Sequence, residues 1–295
     1  LMQIEDMNTS QYIEIDDENF QYYNNIEQRK QNKDYFLFTI EDEAPFSEII
    51  TGGDFTASAL INLDFSNYVL TDNTFFSSTI DQVDFTNADL SNSDLSYSII
   101  CEPKIEDTVI HDVDYTSSII YGADFSKSSL KNTTFDFVTC INCIFDGMDI
   151  TEVRISTDLP GFTNFPGSSF RNVDFRNWEH GSIDFSVKIT SICTPENNTI
   201  IPAADLTGSN FSGINLKNIV FSRGGTMWKP LDNVDFSFAD LSFHDLRYTS
   251  LKNANLSNAN LTGVDFTNAD LNGANLSGSI LNGVILDCYN HEICN

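Results

Sequence analysis

The sequence predicts an all-β fold, a solenoid of narrow square coils. Three observations carry this: a large apolar residue at every fifth position, a small residue two places before it, and Asp or Asn between the two. The stretch 254–276, ANLSNANLTGVDFTNADLNGANL, shows all three. Helices repeat near 3.6 residues and strands every 2, so neither explains a step of five. Such self-similarity at a fixed period is the mark of a repeat architecture.

The large position, here called the centre, recurs from Phe55 to Phe185, departing from large apolar types at Cys140, Pro160 and His180. A second run from Ile201 to Leu286 departs at Thr226 alone. A chain that is 41% hydrophobic overall could not keep this regularity by chance. Two places before the centre stand residues such as Ser58, Val83, Ala88, Ala123, Val173, Ala204, Val264 and Ala269. Directly before it stand Asp54, Asp64, Asp84, Asp124, Asp174, Asp235, Asp265 and Asn275. Ser, Thr, Asn and Gly fill the remaining places. One large and one small inward residue per five suit a square coil in which each pentapeptide forms one side and turns one corner. Four sides close a coil of about 20 residues, and the backbone bonds to the coils above and below at about 4.8 Å.

In order along the chain, residues 1–49 form an acidic N-terminal segment, a cap or an assembly arm. Residues 1–45 carry 11 acids and 3 bases, and the first 34 are rich in Asn, Gln, Glu and Asp, a composition that leans toward disorder. The run DYFLFTIEDEAPF at 34–46 reads as a strand able to cover the first coil of its own solenoid. It could equally dock on a neighbouring subunit by strand addition, which makes Tyr35, Phe36, Leu37, Phe38 and Ile40 assembly candidates. Residues 50–187 form the first run of coils. Residues 188–200 form a loop or bulge, since Phe185 and Ile201 are three steps plus one apart. Residues 201–287 form the second run, and 288–295 a C-terminal cap. The interruptions at 157–169 and 223–233 keep the phase, so they are expected to leave a corner and return to it.

The A(D/N)LxX units resemble those of the pentapeptide-repeat family over about residues 50–287. The resemblance is closest in NANLSNANLTGVDFTNADL. It implies a right-handed quadrilateral β-helix, a pentapeptide-repeat solenoid of about ten to twelve coils. Leu63, Tyr68 and Asn73 are bulkier at the small position than the family pattern. The resemblance says little about function. Its gyrase-protecting members mimic the phosphate rows of a DNA duplex and dimerise through a C-terminal helix, for which this chain has no amphipathic counterpart.

The formal net charge of -28 argues against direct nucleic-acid binding and against an anionic membrane surface, since both need clustered cations. No run of about 18 apolar residues exists, so no membrane insertion is expected. Carboxylates 20 residues apart should stack one coil above another: Asp64 under Asp84, Asp94 under Asp114, Asp245 under Asp265. The plainest reading is a solvated acidic face. Weak calcium binding by Asp64, Asp84, Asp245 and Asp265 and duplex mimicry are the alternatives. The four histidines, His111, His180, His244 and His291, show no catalytic spacing, and no nucleotide-binding motif is present. The chain is read as no enzyme, and no cofactor is expected. Arg223, Gly224 and Gly225, near Trp228 and Lys229, suggest a contact loop.

Six cysteines form an even set. Cys288 and Cys294 bracket CYNHEIC and are disulfide candidates, with free thiols the alternative. Cys140 and Cys143 have the spacing of a redox or zinc half-motif, but no second pair stands near them and zinc is not expected. Sequons occur at Asn8, Asn132, Asn197, Asn210, Asn255, Asn260 and Asn275. The last four follow from the repeat itself, so Asn8, Asn132 and Asn197 are the glycosylation candidates. The expected function is therefore a structural or protein-interaction solenoid, extracellular or on the cell surface. Its partners would be copies of itself, as in a filament, or another protein. The alternative is a cytoplasmic acidic DNA mimic acting on an enzyme such as gyrase.

Overall fold

The structure, a computed structural model, describes residues 2–6, 11–15, 37–40, 49–150, 152–155, 163–165, 168–176, 183–185, 204–216, 219–221 and 229–294. Two compact units divide the chain, Leu1–Val138 and Thr139–Asn295. In both the chain is all-β and coils on a square, as the five-residue step requires. The predicted loop 188–200, the RGG triplet at 223–225 and Trp228 lie outside the described residues.

The first unit contains β1 (Met2–Asp6), β2 (Gln11–Ile15), β3 (Leu37–Ile40), β4 (Ala59–Ile61), β5 (Thr79–Asp81), β6 (Ile99–Cys101), β7 (Val109–His111), β8 (Ile119–Tyr121) and β9 (Ser129–Lys131). Strands β4, β5, β6 and β8 stack in parallel, with Leu60 opposite Ile80, Ile80 opposite Ile100 and Ile100 opposite Ile120. Strand β7 stacks on β9 in the same way. The column Ile49, Val69, Asp89, Val109 and Ser129 climbs the unit in steps of 20 residues.

Strand β1 pairs antiparallel with β2 and with β3, and Leu37 of β3 meets Ala59 of β4. Two strands thus stand where composition leaned toward disorder. The alternation MQIED and QYIEI, with its period of two, is the local signal for them. Of the assembly candidates, Leu37, Phe38 and Ile40 belong to a strand paired within their own chain; Tyr35 and Phe36 lie outside the described residues.

The second unit contains β10 (Thr139–Ile141), β11 (Thr163–Asn164), β12 (Ile183–Asp184), β13 (Ile219–Val220), β14 (Lys229–Pro230) and β15 (Thr249–Ser250). Its register reports each interruption of the repeat. Ile144 sits under Ser169 and Asn210 under Asp235, coils of 25 residues that hold one additional pentapeptide and therefore return in phase. Asp174 sits under Asn210, a coil of 36 residues, longer than the regular 20 by the same 16 that separate Phe185 from Ile201. The column Asp235, Asn255 and Asn275 then runs at the regular step. Counted separately, the units make about four and about six turns, against the ten to twelve expected.

The centres form the core of each coil. Phe55, Phe65, Phe75, Phe135, Phe175, Phe211 and Phe236 are fully buried. Their rings stack along the columns: Phe55 on Phe75 at 4.9 Å, Phe145 on Phe170 at 4.6 Å, Phe175 on Phe211 at 4.2 Å. The ring partners are 20, 25 and 36 residues apart, so core and backbone share one register. Small-position hydroxyls are spent inside: Ser93, Ser98, Thr108 and Thr133 donate to the carbonyls of Leu70, Phe75, Phe85 and Ile110 in the coil below. Most corners lie two places after a centre, where φ is positive. Asn67, Asn87, Asn92, Asn253, Asn258, Gly208 and Gly263 illustrate why Asn and Gly collect there.

Candidate interaction surface

The Asp or Asn before each centre does local work first. Its Oδ1 accepts the backbone N–H two residues on, closing an Asx turn into the corner. Asp64 takes the Ser66 amide at 2.9 Å, Asp84 the Thr86 amide at 3.0 Å, Asp235 the Ser237 amide at 2.9 Å, and Asn255 the Ser257 amide at 3.2 Å. Ser or Thr at that second place often adds its hydroxyl, as Ser96 does to Asp94 and Thr267 to Asp265, both at 2.6 Å. Much of the acidic charge therefore belongs to the turns.

The aspartates stack one coil above another as the spacing predicts. Asp64 bridges to Asp84, Asp94 to Asp114 and Asp245 to Asp265. Like charges at this spacing repel, and the chain relieves them in two ways. Cations sit beside the pairs: Lys104 Nζ lies 2.8 Å from Asp84 Oδ2, and Arg247 spans Asp245 at 2.7 Å and Asp265 at 3.7 Å. Asparagine amides interrupt the other columns, with Asn255 Nδ2 donating to Asp235 at 3.1 Å and Asn260 Nδ2 to Asp240 at 3.0 Å. The four calcium candidates are thus brought together in pairs, each pair beside a lysine or arginine. Among the described residues no three His, Cys, Asp or Glu side chains gather as a metal site. An open groove of about 410 Å³ lies beside Asn62, Asp64, Gln82, Asp84, Glu102 and Lys104.

These contacts move protonation equilibria. Partial burial pushes the Asp84 carboxyl up, but hydrogen bonds from Lys104 and Thr86 outweigh it and hold the group below its ordinary value. Asp205 behaves alike, with Thr207 and Arg171 overcoming burial. Arg176 holds Asp174 down directly, and the Ser242 amide and hydroxyl do so for Asp240.

Where the five-residue run stops, the surface changes character. Residues 271–286, LNGANLSGSILNGVIL, hold no charged side chain in a chain that is 20% charged. Lower coils donate centre and corner N–H groups to the next coil, as Leu261 does to Ile280 and Gly263 to Asn282. The N–H groups of Leu276, Gly278, Leu281, Gly283 and Leu286 find no such acceptor among the described residues. Leu276, Leu281 and Leu286 are half-buried where other centres are fully buried, and Ile280 and Ile285 are 48% and 50% exposed. The fourth side of this coil is covered by residues 288–294. The Tyr289 amide donates to Ala269 O at 3.1 Å, Leu271 N to Tyr289 O at 3.1 Å, and His291 Nε2 lies 3.1 Å from Ala274 O.

Cys288 and Cys294 are joined, their Cα atoms 5.0 Å apart. Cys140 and Cys143 are also joined, fully buried in the coil interior, and no zinc half-site remains. Cys101 is disulfide-bonded too, and no free cysteine occurs among the described residues. Asn132 stands exposed at a corner; Asn8 and Asn197 lie outside the described residues. His244 and His291 bond backbone carbonyls, while His111 meets Ser129, so the described histidines stay apart. Sequence reasoning missed three exposed aromatics at positive-φ corners, Tyr97 at 58%, Phe238 at 68% and Phe243 at 79%. Their offset of two from a centre was the available signal.

Comparison with known proteins finds the family described as pentapeptide repeats in residues 249–287, in 8 copies. No curated protein matches the chain. Similar solved structures include HetL, a pentapeptide repeat protein involved in heterocyst differentiation regulation from the cyanobacterium Nostoc sp. strain PCC 7120. It is 18% identical over 79% of this chain and 86% of its own, with a TM-score of 0.31. A pentapeptide repeat protein of the Arabidopsis thaliana thylakoid lumen is 23% identical over 40% and 79%, with a TM-score of 0.28. QnrB1, a plasmid-mediated fluoroquinolone resistance protein, is 14% identical over 82% and 90%, with a TM-score of 0.26. No helix among the described residues is long and apolar enough to cross a membrane.

Proposed function

We propose that the chain, with pentapeptide repeats at 249–287 and square coils in both units, is a non-enzymatic scaffold that pairs with a second copy of itself through the edge of the coil at 271–286. The observation that carries this reading is the charge-free stretch 271–286, with five N–H groups left without an acceptor among the described residues. An exposed strand edge invites pairing, and natural proteins commonly guard such edges with charge. Within 271–286 no charged side chain guards this edge.

The geometry favours a second copy over an extended peptide. Each side turns after five residues, so a straight strand could pair along one side, whereas another square coil meets successive sides together. Two chains of net charge -28 repel wherever acids face each other, so an uncharged edge is where they can touch. In the first unit β3 already pairs with β4, so that edge of β4 is taken within its own chain, which supports a closed pair over a growing filament. The disulfides support an oxidising setting, outside the cytosol. No observation favours duplex mimicry comparably: Lys104 interrupts the column of Asp64 and Asp84, and Thr74 and Thr134 bound Asp94 and Asp114.

Sedimentation equilibrium tests the reading. The protein should form a dimer with rising concentration, and Ile280→Lys with Ile285→Lys should weaken it by at least about tenfold, 1.4 kcal/mol. A monomer at every concentration, or a double variant that dimerises as well as the parent, would overturn it.

A further inference from the structure

We propose that the Cys288–Cys294 disulfide is a redox latch on the association edge, a role that rests on the pairing read above. The latch would hold residues 288–294 across the fourth side of the last coil. That segment covers fully buried Leu271 and nearly buried Ala274, and it takes the Leu271 amide that would otherwise join the open donors. Its hydrogen bonds to the coil include the two backbone bonds of Tyr289, His291 on Ala274, and Asn290 Nδ2 on Asp270 at 3.0 Å. Ile293 and Tyr289 are both half-buried and neither is fully sunk in the coil. Closing the ring from Cys288 to Cys294 limits the conformations open to the released segment, and opening that ring makes release easier.

Access separates this disulfide from the other. Cys140 and Cys143 are 0% exposed, whereas Cys288 is 8% exposed and Cys294 half-exposed. A small dithiol can therefore reach Cys294 first. One of its thiolates attacks Cys294 Sγ, the bond to Cys288 breaks, and Cys288 leaves as a thiolate that takes up a proton. The second thiol of the reductant then displaces Cys294 from the mixed disulfide. Two electrons pass to the protein, which gains two thiols, and the dithiol leaves as its own disulfide. With the segment released, all four sides of the last coil become available to a second copy, and reduction tightens pairing.

Three readouts test this on the full chain. After brief treatment with dithiothreitol and alkylation, peptide mapping should find Cys288 and Cys294 labelled at least about tenfold more than Cys140 and Cys143. Amide exchange at Leu271 and Tyr289 should quicken in the reduced protein and in Cys288→Ser with Cys294→Ser, while exchange at Leu251 stays unchanged. That double variant should dimerise about tenfold more tightly than the oxidised parent. Unselective labelling, or unchanged exchange at Leu271 and Tyr289, would overturn the latch alone and leave the pairing standing. Selective labelling and faster exchange with a monomer throughout would overturn the pairing and, with it, the role given to the latch.

Discussion

Asp94 accepts two hydrogen bonds from Ser96, from its amide at 2.9 Å and its hydroxyl at 2.6 Å, while facing Asp114 one coil above. The turn needs the oxygen and not the charge, and Asn supplies the oxygen. Asp94→Asn should therefore be neutral or slightly stabilising, since it also relieves repulsion. Asp94→Ala should cost about 1 kcal/mol by losing the turn acceptor. Thermal unfolding of the two variants checks the order; equal losses would mean that charge, not the turn, sets the residue. The repeat displayed the position of every such acid but not its task, because an Asp that faces water and an Asp that closes a turn look alike in sequence. Cys140 and Cys143 illustrate the opposite case. Cys140 occupies a centre and Cys143 a small position, both inward, so the phase already pointed the two thiols into one interior.

Coils that swallow insertions show how far the element scale was legible. The step of five and its break after Phe185 translate directly into coils of 20, 25 and 36 residues. The strands β1 and β2 were not legible, since their charge and amide content outweighs two short alternations. Corners taken by Phe238, Phe243 and Tyr248 could not be anticipated from preference, because Asn and Gly dominate at positive φ. In the second unit Phe211 stacks on Phe175 at 4.2 Å and on Phe236 at 5.5 Å, bridging a 36-residue and a 25-residue coil. Phe211→Ala should remove about 3–5 kcal/mol. Because each coil touches mainly its neighbours, amide exchange should rise first in coils 169–240 and least in β4 to β6. Uniform loss of protection across both units would contradict this local coupling.

For the whole molecule, the charge of -28 sets solubility and the acid response. Asp84, Asp174, Asp205 and Asp240 are all held below their ordinary value of 3.8 in the folded chain. Lowered folded values mean that this stability is present above the unfolded value and disappears as pH falls through the folded ones. The melting midpoint should change little between about pH 7 and 5 and drop below about pH 4. A midpoint that rises on acidification would show that relief of net repulsion outweighs these local bonds. The partner surface was the least legible feature. Residues 271–286 directly follow the stretch closest to the regular repeat and keep its step, which hides that no further coil receives their amides among the described residues. The most direct measurement is negative-stain electron microscopy of protein purified from its native source. Particles joined in twos, and separated by Ile280→Lys with Ile285→Lys, are the predicted result; single particles at every concentration would contradict the account.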